Sequence, residues 1–303
     1  MPHISLAAEI VTRFGGFPVS NALITTWLVM GILLMASYLA TRRMTLVPQN
    51  GQAIAEVLVG GLYDFFTSVT GKYVSQVFGL VASLFLFILV ANWVGLLPGV
   101  GTVGFFLDGH EKKMTSVQTV DQFNTRTENQ SLPDAHEKPT GTKTQSVLQV
   151  EEENSKKNEI FVPLFRGATA DLNTTLALAL FAMISIQYYG FKTAGMHYGK
   201  RFFNVANPIF FFLGVLELIS ELSKVVSFAF RLFGNIFAGE VLLAVMAFLM
   251  PFVIPLPFIT MELFVGFIQA LVFSMLTAVF LSVAVSHGEH EKHMAEGGGI
   301  QHG

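Results

Sequence analysis

The chain has 303 residues, of which 52% are hydrophobic and only 13% charged, and its mean hydropathy is +0.57. A soluble domain carries about 25% charged residues, so the composition excludes an ordinary soluble fold and points to a membrane protein. The net charge of −3 gives no basic footprint for nucleic acid, and the absence of cysteine excludes disulfides and thiolate metal sites.

Charge is unevenly spread. Seven Lys/Arg and ten Asp/Glu fall between Asp108 and Glu159, so an apolar body carries one polar insertion. No cleavable signal peptide is expected, because the first long apolar run begins near Asn21 with no charged region in front of it. Five stretches reach the ~20 residues that span a bilayer. They are Asn21–Ala40, Phe78–Leu97, Leu172–Gly190, Ile209–Met250 and Pro257–Val285. The fold class expected is therefore an all-α membrane protein, with residues 1–20 as an outer N-terminal segment.

Between the first two spans, Ile54, Val57, Leu58, Leu62 and Phe65 recur at helical spacing, interrupted by Glu56, Tyr63 and Asp64. That pattern predicts an amphipathic helix over 53–70, lying on the membrane surface. Arg42, Arg43 and Lys72 flank the first connection, and Lys192, Lys200 and Arg201 the third. The positive-inside rule puts both in the cytoplasm, the N-terminus outside and the C-terminal tail inside. The insertion over 108–159 then lies outside, and its Gln, Thr, Asn, Ser and Glu content argues for a poorly ordered segment.

The fourth span is the most informative. Glu217, Ser220, Lys224, Ser227 and Arg231 are spaced three, four, three and four residues apart, with Asn235 one turn further. This is one helical stripe rising ~20 Å. A packing stripe would explain the serines, but not Glu217 and Arg231 together. The alternative is a polar wall lining a water-filled cavity that reaches mid-membrane. Arginine cannot shed its charge by deprotonation, and at mid-bilayer it costs roughly 2.5–3.5 kcal/mol on insertion scales. It needs a partner.

The fifth span adds Glu262 and Gln269 on one face with Gly266 between them, and Glu240 lies nine residues beyond Arg231. Pro251, Pro255 and Pro257 predict a tight reversal between the two helices. The hairpin is expected to bring Glu240 near Glu262 and Arg231 near Gln269. Nine residues is half a turn off the stripe, however, so Glu240 need not face the cavity that Glu217 faces. Two carboxylates at close quarters titrate as a unit and suit proton passage. Asp171 and Asn173, at the outer start of the third span, fit either a helix N-cap or a feed into that pair.

These residues resemble subunit a of the F-type ATP synthase, the static ion-channel subunit of a membrane motor. The resemblance is carried by S-E-L-S-K-V-V-S-F-A-F-R-L-F-G-N-I-F-A-G-E-V-L from Ser220 to Leu242. It is supported by Asn92-Trp93-Val94-Gly95-Leu96-Leu97-Pro98, Thr169-Ala170-Asp171-Leu172-Asn173 and Gln269-Ala270-Leu271-Val272-Phe273. It implies a ring of c subunits turning against this chain, b-type peripheral stalk subunits beside it, and a multi-pass location in a bacterial inner membrane. It implies no cofactor, no metal and no catalysis by the chain itself.

Residue by residue, Arg231 matches the essential arginine that meets the ring carboxylate. Glu240, Glu262 and Gln269 match the outer half-channel, with Asn235 near the arginine. Glu217, Ser220 and Ser227 match the cytoplasmic exit. Val225 stands where many relatives have proline, so the helix is expected to run on unbent. Glu262 stands where many bacterial relatives have histidine. A sodium-coupled version of the same motor, or a stand-alone transporter using Arg231 to bind an anion, are the alternatives. The absence of a second copy of the Arg231 region counts against the transporter.

Two further patterns are set aside. Gly99-Val100-Gly101-Thr102-Val103-Gly104 has dinucleotide-loop spacing but follows a membrane span rather than a strand. His287, His290, His293 and His302 lie in a Gly- and Glu-rich tail over 287–303, read as solvated rather than metal-binding.

Overall fold

A computed structural model describes residues 10–14, 17–42, 51–97, 100, 103–108, 159–195, 208–250 and 255–297. It contains an N-terminal hairpin, β1 (Ile10–Phe14) and β2 (Phe17–Ser20), then α1 (Asn21–Thr41), α2 (Gly51–Thr70) and α3 (Val74–Gly95). A second hairpin follows, β3 (Gly104–Asp108) with β4 (Glu159–Pro163), and then α4 (Leu172–Ala194), α5 (Pro208–Leu249) and α6 (Pro255–Gly297). The chain divides into two compact units, residues 103–164 as one and the rest as the other. In the smaller unit, Asp108 pairs with Glu159 and Gly104 with Pro163 in an unbroken antiparallel register. The insertion between those strands, over 109–158, lies outside the described residues, as do Arg43, Lys200, Arg201 and most of the glycine run near Gly101.

Five helices are long and apolar enough to cross a membrane, as the sequence predicts. The protein is an all-α membrane protein whose strands, among the described residues, form only the two short hairpins. In α1, Ser20 caps the N-terminus by accepting from the Leu23 amide at 3.3 Å, which satisfies one of the orphan donors of a helix start. Beyond Val29 its large side chains, from Met30 to Leu39, are mostly exposed, as suits lipid contact.

The α2 segment does not simply continue into α3. Gly71 takes φ +57 and opens a short 3-10 turn, Gly71–Tyr73, and that left-handed conformation is one glycine adopts at no steric cost. Tyr63 and Phe78 flank it, and a straight helix would hold residues fifteen apart ~22 Å from each other. Their rings instead meet edge-to-face at 5.1 Å. The chain therefore folds back at Gly71, and α2 packs Phe65 and Phe66 into the core while Ile54 and Val57 stay exposed. Of the five stripe positions read from the sequence, Ile54, Val57 and Leu58 are thus exposed, while Leu62 and Phe65 pack against the core.

The core is a layer of apolar side chains around α6. Val77, Val81, Leu84, Phe85 and Ile88 come from α3, Ala179, Ala182 and Ile186 from α4, and Val225, Phe228, Ala229 and Leu232 from α5. Ala270, Phe273, Ala278 and Leu281 complete it from α6. Small residues at these contacts let helix backbones approach, which is how membrane helices gain packing without a hydrophobic drive between them. The hydroxyls of Ser274 and Thr277 bond back to carbonyls of their own helix, so the buried face carries no unmet hydroxyl there.

Helix α5 runs 42 residues without a break through Val225, as the missing proline predicts. At 1.5 Å per residue it is roughly 63 Å long, about twice the ~30 Å hydrocarbon core. Such a helix must tilt steeply or extend beyond the bilayer. The reversal after Leu249 fits the proline run, since Pro255 and Pro257 both fall in the first turn of α6, where a missing N–H costs nothing. Residues 251–254 are outside the described set. Helix α6 extends past the predicted Val285 to Gly297, so the tail begins as helix; the positions of its histidine side chains lie outside the described residues.

Candidate functional site

The facing of α5 decides which residues meet. Val225, Phe228, Ala229, Leu232, Phe233 and Gly239 are buried, whereas Ser220, Ser227, Arg231, Asn235 and Glu240 are exposed. Helical spacing of the first set defines the inward face. Arg231 stands on the outward one, in the stripe with Ser220, Ser227 and Asn235, which are exposed with it. Among the described residues, no hydrogen bond or ion pair reaches Arg231.

Helices α5 and α6 run antiparallel. Phe228 meets Phe273 with ring centroids 5.1 Å apart, Asn235 bonds Gln269, and Gly239 abuts Glu262. The Asn235 Nδ2 donates to Gln269 Oε1 at 2.8 Å, and the Gln269 Nε2 is buried without a partner. The expected meeting of Arg231 with Gln269 is therefore replaced by one between Asn235 and Gln269. The reason is helical phase: four residues turn Arg231 about 40° from Asn235, enough to take it off the α6-facing side.

The carboxylates part company for the same reason. Gly239 faces α6, and a Cβ placed on it would overlap the Glu262 carboxyl group. Glu262 is 5% exposed, and its Oε1 is buried without a hydrogen-bond partner. Glu240, the next residue on α5, points elsewhere and meets Arg166, with Nη2 to Oε2 and Nε to Oε1 both at 3.4 Å. So each carboxylate makes contacts of its own, Glu240 with Arg166 and Glu262 with Gly239. Arg166 was missed in the sequence because a lone arginine in Phe165-Arg166-Gly167, 74 residues before Glu240, carries no spacing signal.

Asp171 occupies the N-cap position of α4 and is buried, but its side chain makes no capping bond. Asn173 is exposed at the same end. Behind them, Thr169 donates to Asn92 Oδ1 at 2.7 Å, and Asn92 Nδ2 donates to the Gly266 carbonyl at 3.0 Å. The Trp93 indole donates to the Leu263 carbonyl at 3.3 Å. The motif Asn92-Trp93 thus ties α3 to the stretch of α6 that bears Glu262 and Gln269.

At the other end of the stripe, Lys224 Nζ pairs with Glu221 Oε1 at 2.7 Å and lies 4.8 Å over the Phe280 ring. Gln187 of α4 donates to Glu221 Oε2 at 3.1 Å. Glu217 is half-buried, and Ser220 and Ser227 are exposed. Glu221 was passed over because it falls beside the stripe rather than on it. Among the described residues no cluster of His, Asp or Glu could hold a metal.

Fold and site together define a polytopic helical membrane protein with a polar seam between its two longest helices and an arginine unmatched on their outer face. A family model described as ATP synthase A chain matches residues 23–282. The chain belongs to that family, the ion-translocating a subunits of the ATP synthase membrane sector. It is 28% identical to ATP synthase subunit a of Syntrophobacter fumaroxidans over 280 residues, covering 92% of this chain and 90% of that one. Against ATP synthase subunit a 3 of Pelobacter propionicus, identity is 31% over 265 residues, covering 86% of each. A Propionigenium modestum relative named ATP synthase subunit a, sodium ion specific, is 29% identical over 294 residues, covering 96% of this chain and 82% of its own.

Proposed function

We propose that the chain is the static half of a rotary proton motor in a bacterial inner membrane, with two offset half-channels serving the carboxylates of a c-ring. The observation that carries this reading is Arg231, exposed in the middle of a largely apolar helix with no partner among the described residues. Its counter-charge is then external and transient, one ring carboxylate after another. The outer half-channel runs past Asp171, Asn173, Glu240 and Glu262 to Gln269 and Asn235. The inner one runs past Ser227 and Ser220 to Glu217. Arg231 between them attracts the deprotonated carboxylate and blocks direct leakage.

In this reading the chain performs no covalent chemistry. Its N-terminus is outside, its tail inside, and b-type stalk subunits hold it against the ring. The membrane potential supplies about 2.3 kcal/mol per charge per 100 mV. The test is Arg231→Ala in membranes carrying the assembled enzyme: ATP-driven proton pumping and ATP synthesis are both expected to vanish, and pumping at the wild-type rate would refute the assignment. Pumping should also be independent of added sodium. A strict sodium requirement would instead place the chain with the sodium version named for the Propionigenium modestum relative.

A further inference from the structure

Arg166 lies outside every membrane-length helix, in the connection that leads into the short turn before α4. Its side chain is 7% exposed, and two of its nitrogens reach the two oxygens of a single carboxyl group, that of Glu240. A guanidinium does not discharge itself by losing a proton, so a buried one needs a lasting counter-charge. Glu240 provides one, through a hydrogen bond from Nη2 and the charge of its second oxygen 3.4 Å from Nε.

Glu262 is in the opposite situation. It is buried, its carboxyl lies against the backbone of Gly239, and among the described residues no hydrogen bond or ion pair reaches it. Protonating Glu240 would remove a negative charge that lies 3.4 Å from a buried guanidinium. Protonating Glu262 disturbs no partner, whereas its ionised form sits buried without a donor, a state that is costly to hold for long.

We propose that the two carboxylates divide the work: Glu240 is a fixed counter-charge held by Arg166, and Glu262 alone takes up and hands on the proton. This rests on the proton-path reading above. In each passage the Glu262 carboxylate accepts one proton from the outer water and becomes the carboxylic acid. It returns to the carboxylate when that proton moves inward, and no other bond is made or broken. Gln269 lies seven residues further along α6, bonded to Asn235, so the hand-off follows the α5–α6 seam toward Arg231. Arg166 acts through Glu240 and is a positioning residue.

The experiment measures proton uptake driven by a potassium diffusion potential, in membrane vesicles that carry the assembled membrane sector, with the amount of the chain quantified. Positioned proton-transfer groups contribute on the order of 10²–10⁴, so Glu262→Gln should lower uptake at least about tenfold. Arg166→Gln should also lower it about tenfold by releasing Glu240, and adding Glu240→Gln should lower it by less than a further threefold, because the two residues act through one contact. Arg166→Lys keeps the charge and should conduct better than Arg166→Gln, which guards against misassembly of the neutral variant. Uptake by Glu262→Gln within about twofold of wild type overturns the proposal. So does a double variant that falls more than about threefold below Arg166→Gln alone. Arg231→Ala, read as ATP-driven pumping by the assembled enzyme, separates the failures: wild-type pumping there refutes the ion-path reading itself, while its loss beside a fully conducting Glu262→Gln overturns only the division of labour.

Discussion

At Gly239 the absent side chain is replaced by a neighbour's functional group. The Glu262 carboxyl occupies the space a Cβ would need, and it is the far end of a flexible side chain, so it can swing aside. Gly239→Ala should therefore leave the amount of assembled chain within about twofold of wild type while lowering proton conduction about tenfold or more. Parallel loss of assembly and conduction would instead make Gly239 a packing residue. Helical spacing in the sequence revealed the stripe to Arg231 and the half-turn offset of Glu240. It did not reveal that Gly239 would face α6 or that Arg166 would meet Glu240, because both depend on how separate elements dock. Glu240 and Glu262 were expected to share one environment, and the facing of α5 gives each its own.

Among the elements, α6 carries the acid and the amide of the seam, and α3 holds that stretch in place through backbone acceptors. Asn92 is buried and both accepts from Thr169 and donates to the Gly266 carbonyl. Asn92→Leu leaves a buried hydroxyl and a carbonyl short of partners, and an unsatisfied buried group costs about 1–3 kcal/mol. Gly266 lies close behind, where a Cβ would come within 3.1 Å of the Asn92 Cβ, so the larger leucine also crowds the α3–α6 contact. Heat-induced release of the chain from the detergent-solubilised complex is expected at a lower temperature for this variant; an unchanged release temperature would show that the tie contributes nothing. The five spans and the unbroken α5 were legible because hydrophobic length and a missing proline are local properties. The α3–α6 tie was not, since a carbonyl acceptor on a distant helix leaves no side-chain signature. The sequence marked Asn92-Trp93 as a motif without saying what it holds.

For the whole molecule, the polar insertion returns to its starting point. Asp108 faces Glu159 across an antiparallel ladder, a separation that a two-residue Asn-Gly turn can close. Replacing residues 109–158 by that turn should keep ATP-driven pumping within about twofold of wild type, measured in the same membranes. A larger loss would mean the insertion serves the ion path. Its flanking strands escaped the sequence reading because they lie some fifty residues apart and each is only five long. The fold at Gly71 has a consequence in time. The Ser282 hydroxyl in the second half of α6 reaches the Thr70 carbonyl, 212 residues earlier in the chain, and α2 packs into a core to which α6 contributes. At a synthesis rate of about 5–20 residues per second, the inner face of α2 waits roughly 10–40 seconds for the helix that covers it. During that interval α3 can cover part of that face, and only lipid or the insertion machinery is at hand for the part that α6 will take.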